Sequence, residues 1–245
     1  MAVQIIDAGE STFTPIFGLD NQYRLTVPAN IAAGDVMVVV MKYNTLGTNL
    51  NAIPIDGWSV RSTTQFITSP EEREFFVFYY KEKQPNEQNT YELIFSLGTV
   101  TGITVLKTYS VSGSRRSLSG MGGYSDQEPV SGTGIGFDAA FIDPFSSSIS
   151  VHDGGAGLMA VLGNPWAATS SITAHPASMI DQLGGIGPRY FLGVENFVAN
   201  EVRPANRSFT CDQTGAPGST YPGFRSASIV FAPAFNANMF HGTQF

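Results

Sequence analysis

The sequence predicts an all-β protein, a β-sandwich built from two similar halves with few, short helices. Three observations carry this. Apolar residues come in short runs of β-branched and aromatic types between turn residues, and no segment combines helical periodicity with caps. A series of strand-like segments recurs in the same order after roughly 115 to 125 residues, which reads as a degenerate internal duplication. Hydrophobic residues make up 42% of the 245-residue chain, enough for a core, while one cysteine, Cys211, excludes an internal disulfide framework.

In chain order, Val3 to Ile6 is a first short apolar run, and Tyr23, Leu25 and Val27 alternate with polar residues up to Pro28. After the Gly34-Asp35 turn, Val36 to Met41 is continuously apolar, the pattern of a strand buried on both faces; a short core helix shares it, and the three consecutive valines favour the strand. The Pro54-Ile55-Asp56-Gly57 turn places Trp58 at the head of the next segment. A tryptophan beside a tight glycine turn reads as a core plug, with sugar stacking as the sharper alternative. Phe75 to Phe95, FFVFYYKEKQPNEQNTYELIF, reads as one long antiparallel hairpin whose polar centre is turn chemistry. Gly102 to Val111 closes the first half.

Ser112 to Gly136 is rich in Gly and Ser and reads as a linker. Beyond it, Ser146 to Val151 alternates. Gly157 to Leu162 then matches the Val36 run, and Ala177 to Leu183 takes the place of the Trp58 segment without a tryptophan. Tyr190 to Glu195 matches Phe75 to Tyr80, Asn206 to Cys211 matches Thr90 to Phe95, and Ser226 to Ala232 matches Gly102 to Thr108. The expected organisation is a single sandwich domain over residues 1–234. Its halves, about 1–113 and 137–234, share one core and are joined by the linker 114–136, with a C-terminal arm at 235–245.

Charged residues are only 13% of the chain, against about 25% in ordinary soluble domains, which suits a protein living in contact with neighbours. The net charge of −7 argues against a general nucleic-acid binder. No secretory signal opens the sequence, and no run of about 18 apolar residues suggests a membrane span. His152, His175 and His241 lie in separate loops without metal-ligand spacing, and Asp138, Asp143, Asp153 and Asp181 do not form a calcium loop. Glu71, Glu72 and Glu74 could supply paired carboxylates, but a charge run at a strand entry reads as a solvated gatekeeper. Cys211 reads as a buried small hydrophobe, and Arg115-Arg116 as solvated or as a contact for a phosphate or an acidic partner. The expectation is a non-enzymatic protein with no cofactor or metal.

The run GDVMVVVMKYN, then PIDGWSV, FFVFYYKEKQPNEQNTYELIF and ITVLKTYSVSG, resembles a module of tailed-bacteriophage virion proteins, with a looser second copy over residues 146–233. The resemblance implies a jelly-roll-like sandwich and a place in the virion, made in the host cytoplasm. It suggests a capsid decoration or cement protein that binds the major capsid protein; the alternative is a tail or fibre protein binding host carbohydrate. By analogy with phage decoration proteins the chain is expected to form a homotrimer. Phe235, Met239, Phe240 and Phe245, four large apolar residues in an unpatterned tail, are the candidate interface.

Overall fold

The computed structural model describes residues 2–16, 22–46, 57–67, 72–94, 99–114, 132–141, 154–163, 169–183, 189–197, 206–214 and 224–234. Among them there is no helix. The first half carries β1 (Gln4–Gly9), β2 (Thr12–Pro15), β3 (Gln22–Thr26), β4 (Val36–Leu46), β5 (Ser59–Ile67), β6 (Glu72–Glu82), β7 (Thr90–Ile94) and β8 (Thr99–Ser112). The second carries β9 (Gly132–Ala140), β10 (Ala156–Gly163), β11 (Thr169–Ala174), β12 (Ile180–Asp181), β13 (Tyr190–Asn196), β14 (Asn206–Thr214) and β15 (Phe224–Phe231). The strands form four antiparallel sheets, ordered β1-β8-β4-β6-β5, β2-β3-β7, β12-β13-β10-β15 and β11-β14-β9.

The period of two along β4 explains how these sheets stack. Val36, Val38 and Val40 enter one core, and Met37, Val39 and Met41 enter another. In β10, Leu158 and Ala160 share the core of Val38, while Met159 and Val161 face away into a third. The β4 and β10 sheets therefore lie back to back in the middle. The β3 sheet covers the outer face of the first through Leu25 and Tyr91, and the β14 sheet covers the second through Phe137, Phe209 and Cys211. The order is four layers with three cores. Sequence reasoning expected two sheets and one shared core; here each half also has a core of its own. The reason is local: a strand apolar on both faces needs cover on both.

Two further expectations are corrected. Phe75 to Phe95 is not a hairpin. β6 pairs with β4 on one side and β5 on the other, so it has no edge left for β7, which pairs with β3 in the outer sheet. Residues 83–89 instead carry the chain around a corner between layers. Lys83, 6% exposed, pins this corner by donating to Gln88 O (3.1 Å) and Asn89 Oδ1 (2.5 Å). The linker expectation also ends too late, because Gly132 to Gly136 opens β9, whose Phe137 is a core residue. The expected strand at Ser146 to Val151 lies outside the described residues.

Trp58 is 7% exposed, buried with Met37, Tyr79 and Leu25. Its ring meets Tyr91 edge-on, with centroids 5.1 Å apart. It is the plug its glycine turn suggested. In β10, Gly157 leaves room for the rings of Phe141 and Phe197, which meet each other at 5.3 Å. A Cβ there would come within 2.5 Å of Phe141 Cε1 and 2.9 Å of Phe197 Cζ. Gly157→Ala is therefore expected to cost about 1–3 kcal/mol by overpacking, read as a lowered denaturant midpoint; an unchanged midpoint would show that the two rings can move aside.

Candidate functional site

Among the described residues, two polar groupings bear on the junction of the halves and on the flank. The first bolts the halves together. Near the start of β6, Glu74 is 2% exposed. Its Oε1 accepts from Lys42 Nζ of β4 at 2.8 Å, from Arg189 Nη2 at 3.1 Å and from the Tyr190 hydroxyl of β13 at 3.0 Å. Arg189 also donates to the Tyr190 hydroxyl. The Tyr190 ring lies between both cations, at 4.9 Å from Lys42 Nζ and 4.6 Å from the Arg189 guanidinium. The gatekeeper expectation is thus wrong for Glu74, because Lys42 of its own sheet and Arg189 and Tyr190 of the facing half take the place of water. At the other end of the stack, Val3 N donates to Gly154 O (3.0 Å) and Ala234 N to Gly113 O (2.9 Å).

Burial opposes the charge on Lys42, but hydrogen bonds to Glu74 and Tyr190 outweigh it and raise the amine above its ordinary value. A protonated lysine is not a nucleophile, and this cluster acts as a fastening. Burial, then the charge of Asp212, pushes the Cys211 thiol up to about 12, so it too stays protonated near neutrality.

The second place is a cleft on the flank. β8 is 14 residues long, but β1 covers it only from Thr108 to Ser112. β1 leaves at a bulge between Asp7 and Gly9, where Gly9 takes φ +102, a value open to glycine, and the chain crosses to the outer sheet. The departure opens a cleft of about 560 Å³ beside β8. It is lined by Val105, Leu106 and Lys107 of β8, by Asp7, Glu10 and Ser11 where β1 departs, and by Gln182 and Leu183 of the second half. Asp7 accepts from Gly9 N (2.9 Å) and Lys107 Nζ (2.7 Å). Burial would raise its carboxyl, but these donors hold it below the ordinary value, so it is ionised. Asp181 accepts from Leu183 N at 2.9 Å.

The remaining candidates are dispersed. His175 is exposed, its ring 4.9 Å from that of Phe191; Asp138 is exposed and accepts from Ser208 Oγ at 2.6 Å. Among the described residues no three His, Cys, Asp or Glu side chains group as metal ligands. Glu71, Arg115, Arg116, Asp143, His152, Asp153 and His241 lie outside the described residues, as do Phe235, Met239, Phe240 and Phe245. Sequence reasoning missed Lys42, Arg189, Tyr190 and the buried pair Glu195–Arg207. The available signal was a charge set inside an apolar strand, as Glu195 is in YFLGVE.

Buried and half-buried tyrosines set an alkaline limit. Burial, then the neighbouring Tyr43 hydroxyl at 3.2 Å, raises Tyr79 well above its ordinary value. Burial, then Glu87, pushes Tyr91 up to about 12, and burial, then Asp7 and Asp181, raises Tyr109. The unfolded chain loses these protons near the ordinary value of 10.0, and the folded chain loses them later. Above about pH 10 the unfolded state therefore binds fewer protons, and stability falls as pH rises; the raised Lys42 acts in the same direction. Denaturant midpoints are expected to be flat to about pH 9.5 and to drop through pH 12. Midpoints level across that range would contradict the burial of these hydroxyls.

Comparison with protein-family models, with curated proteins and with solved structures gives no match to this chain.

Proposed function

We propose that the chain is a non-enzymatic structural protein of a tailed-bacteriophage virion, a decoration or cement protein that binds the major capsid protein. In this reading each half is a jelly-roll-like sandwich, and the second is a degenerate copy of the first. One observation carries it: the strand order β8-β4-β6-β5 has the same sequence logic as β15-β10-β13-β12. The equivalent strands are those in which the phage-like segments fall: VMVVVMKYN of GDVMVVVMKYN on β4, FFVFYYK on β6 and ITVLKTYSV on β8. The pairing of β1 with β8, first strand beside last, suits a jelly-roll wrap. Back-to-back halves fastened at both ends by Glu74 and by Val3 make a stiff block, as a protein that locks a shell requires.

The assembly is proposed to be a trimer, with Phe235, Met239, Phe240 and Phe245 as anchors to a neighbour. The test is the copy number in purified particles of the encoding phage, by quantitative mass spectrometry. A number that scales with the shell subunits supports the cement reading; a handful per particle rejects it and points to the tail. Deleting residues 236–245 is expected to lower retention on particles, and equal retention rejects the anchor role.

A further inference from the structure

We infer that the uncovered edge of β8 is a strand-addition site that takes an extended, basic segment of another protein. Below Thr108, where β1 departs, no strand among the described residues pairs with this edge of β8. An open edge offers unpaired backbone N–H and C=O groups, which an incoming strand satisfies in line with β1. The cleft beside Val105, Leu106 and Lys107 gives that strand room for its side chains, and Leu106 and Leu183 offer it apolar contact. Among the described residues the second half presents to this flank only β12, an edge strand two residues long. Ile6 and Ile180, the exposed large hydrophobics among the described residues at 53% and 64%, lie on the edge strands β1 and β12 that bound this flank.

Charge selects the occupant. Among the described residues that line the cleft, Asp7 and Glu10 stand against one cation, Lys107, which Asp7 already engages at 2.7 Å, and Asp181 directly precedes the lining residue Gln182. The excess is negative, so the strand carries Lys or Arg among apolar residues. A second copy of this chain, at a net charge of −7, fits poorly, and residues 235–245 contain neither Lys nor Arg. The site stands independently of the virion reading.

The test uses the full chain and a panel of ten-residue peptides alternating Val and Thr with one central Lys, Arg, Glu or Ser. Binding is followed by NMR at the amides of Val105, Leu106 and Lys107. The Lys and Arg peptides are expected to shift those signals and slow their hydrogen exchange, and to bind about tenfold tighter than the Glu peptide. Glu10→Lys, at an exposed position, is expected to remove that preference. Failure of every peptide to bind, equal binding of Lys and Glu peptides, or shifts confined to other strands overturns the inference. Protection of these amides by raised protein concentration alone, without peptide, also rejects it in favour of a second copy.

Discussion

Glu195→Ala is expected to lower the unfolding free energy by about 3–5 kcal/mol. Glu195 and Arg207 are 1% and 5% exposed, on β13 and β14 in facing sheets. Arg207 Nε donates to Glu195 Oε2 at 2.5 Å and Nη2 to Oε1 at 2.8 Å, a two-pronged pair beneath the Phe141 ring, 5.4 Å from the guanidinium. Removing the carboxylate leaves a guanidinium in the core without its bidentate partner, and that residual charge carries the cost rather than any large net value of the pair. The double variant Glu195→Met with Arg207→Met is therefore expected to recover most of the loss. Denaturant midpoints of the two single variants and the double decide this. A double variant as unstable as Glu195→Ala would mean that the pair is worth its full interaction energy.

Trp58→Ala is expected to cost about 3–5 kcal/mol through the cavity it leaves under Tyr91. Trp58→Phe should cost much less. The indole Nε1 is buried without a hydrogen-bond partner, and an orphaned donor carries a burial penalty of about 1–3 kcal/mol that phenylalanine lacks. Equal losses in the two variants would show that the N–H finds a partner in solution.

Most of the apolar strands were legible in the sequence; β2, β9, β11 and the strand partnerships were not. Val36 to Met41 and Gly157 to Leu162 announced strands buried on both faces, and both are. The same runs imply a covering layer on each side, which a two-sheet reading overlooks. The β6–β7 error has a similar root. Seven residues, 83–89, are long for a hairpin loop, and what β6 pairs with depends on β5, whose polar sequence Ser-Val-Arg-Ser-Thr-Thr gives little sign of membership in an inner sheet. The glycines at the start of β9 hid a strand inside apparent linker composition. The partners at Glu74 were out of reach for another reason: a charge inside an apolar strand marks that end alone, and Arg189 is 115 residues away. Glu195 was the more readable case, since its partner lies 12 residues on.

The back-to-back middle layers also impose an order on biosynthesis. β1 can close against β8 once the ribosome has made residue 112, completing the first half and its own core. At that moment Val38, Val40, Phe76 and Phe78 face nothing, because Leu158, Leu192 and Ile229 are still to be made. The nascent chain thus carries a bare apolar sheet for the time taken to add more than a hundred residues, on the order of ten seconds at usual elongation rates. Crowded ribosomes on one message would bring such sheets together, and a first half that captures the second half of its neighbour yields an exchanged pair. Slow translation of residues 115–224 should therefore raise the yield of exchanged dimers, and a chaperone that shields the open sheet should lower it.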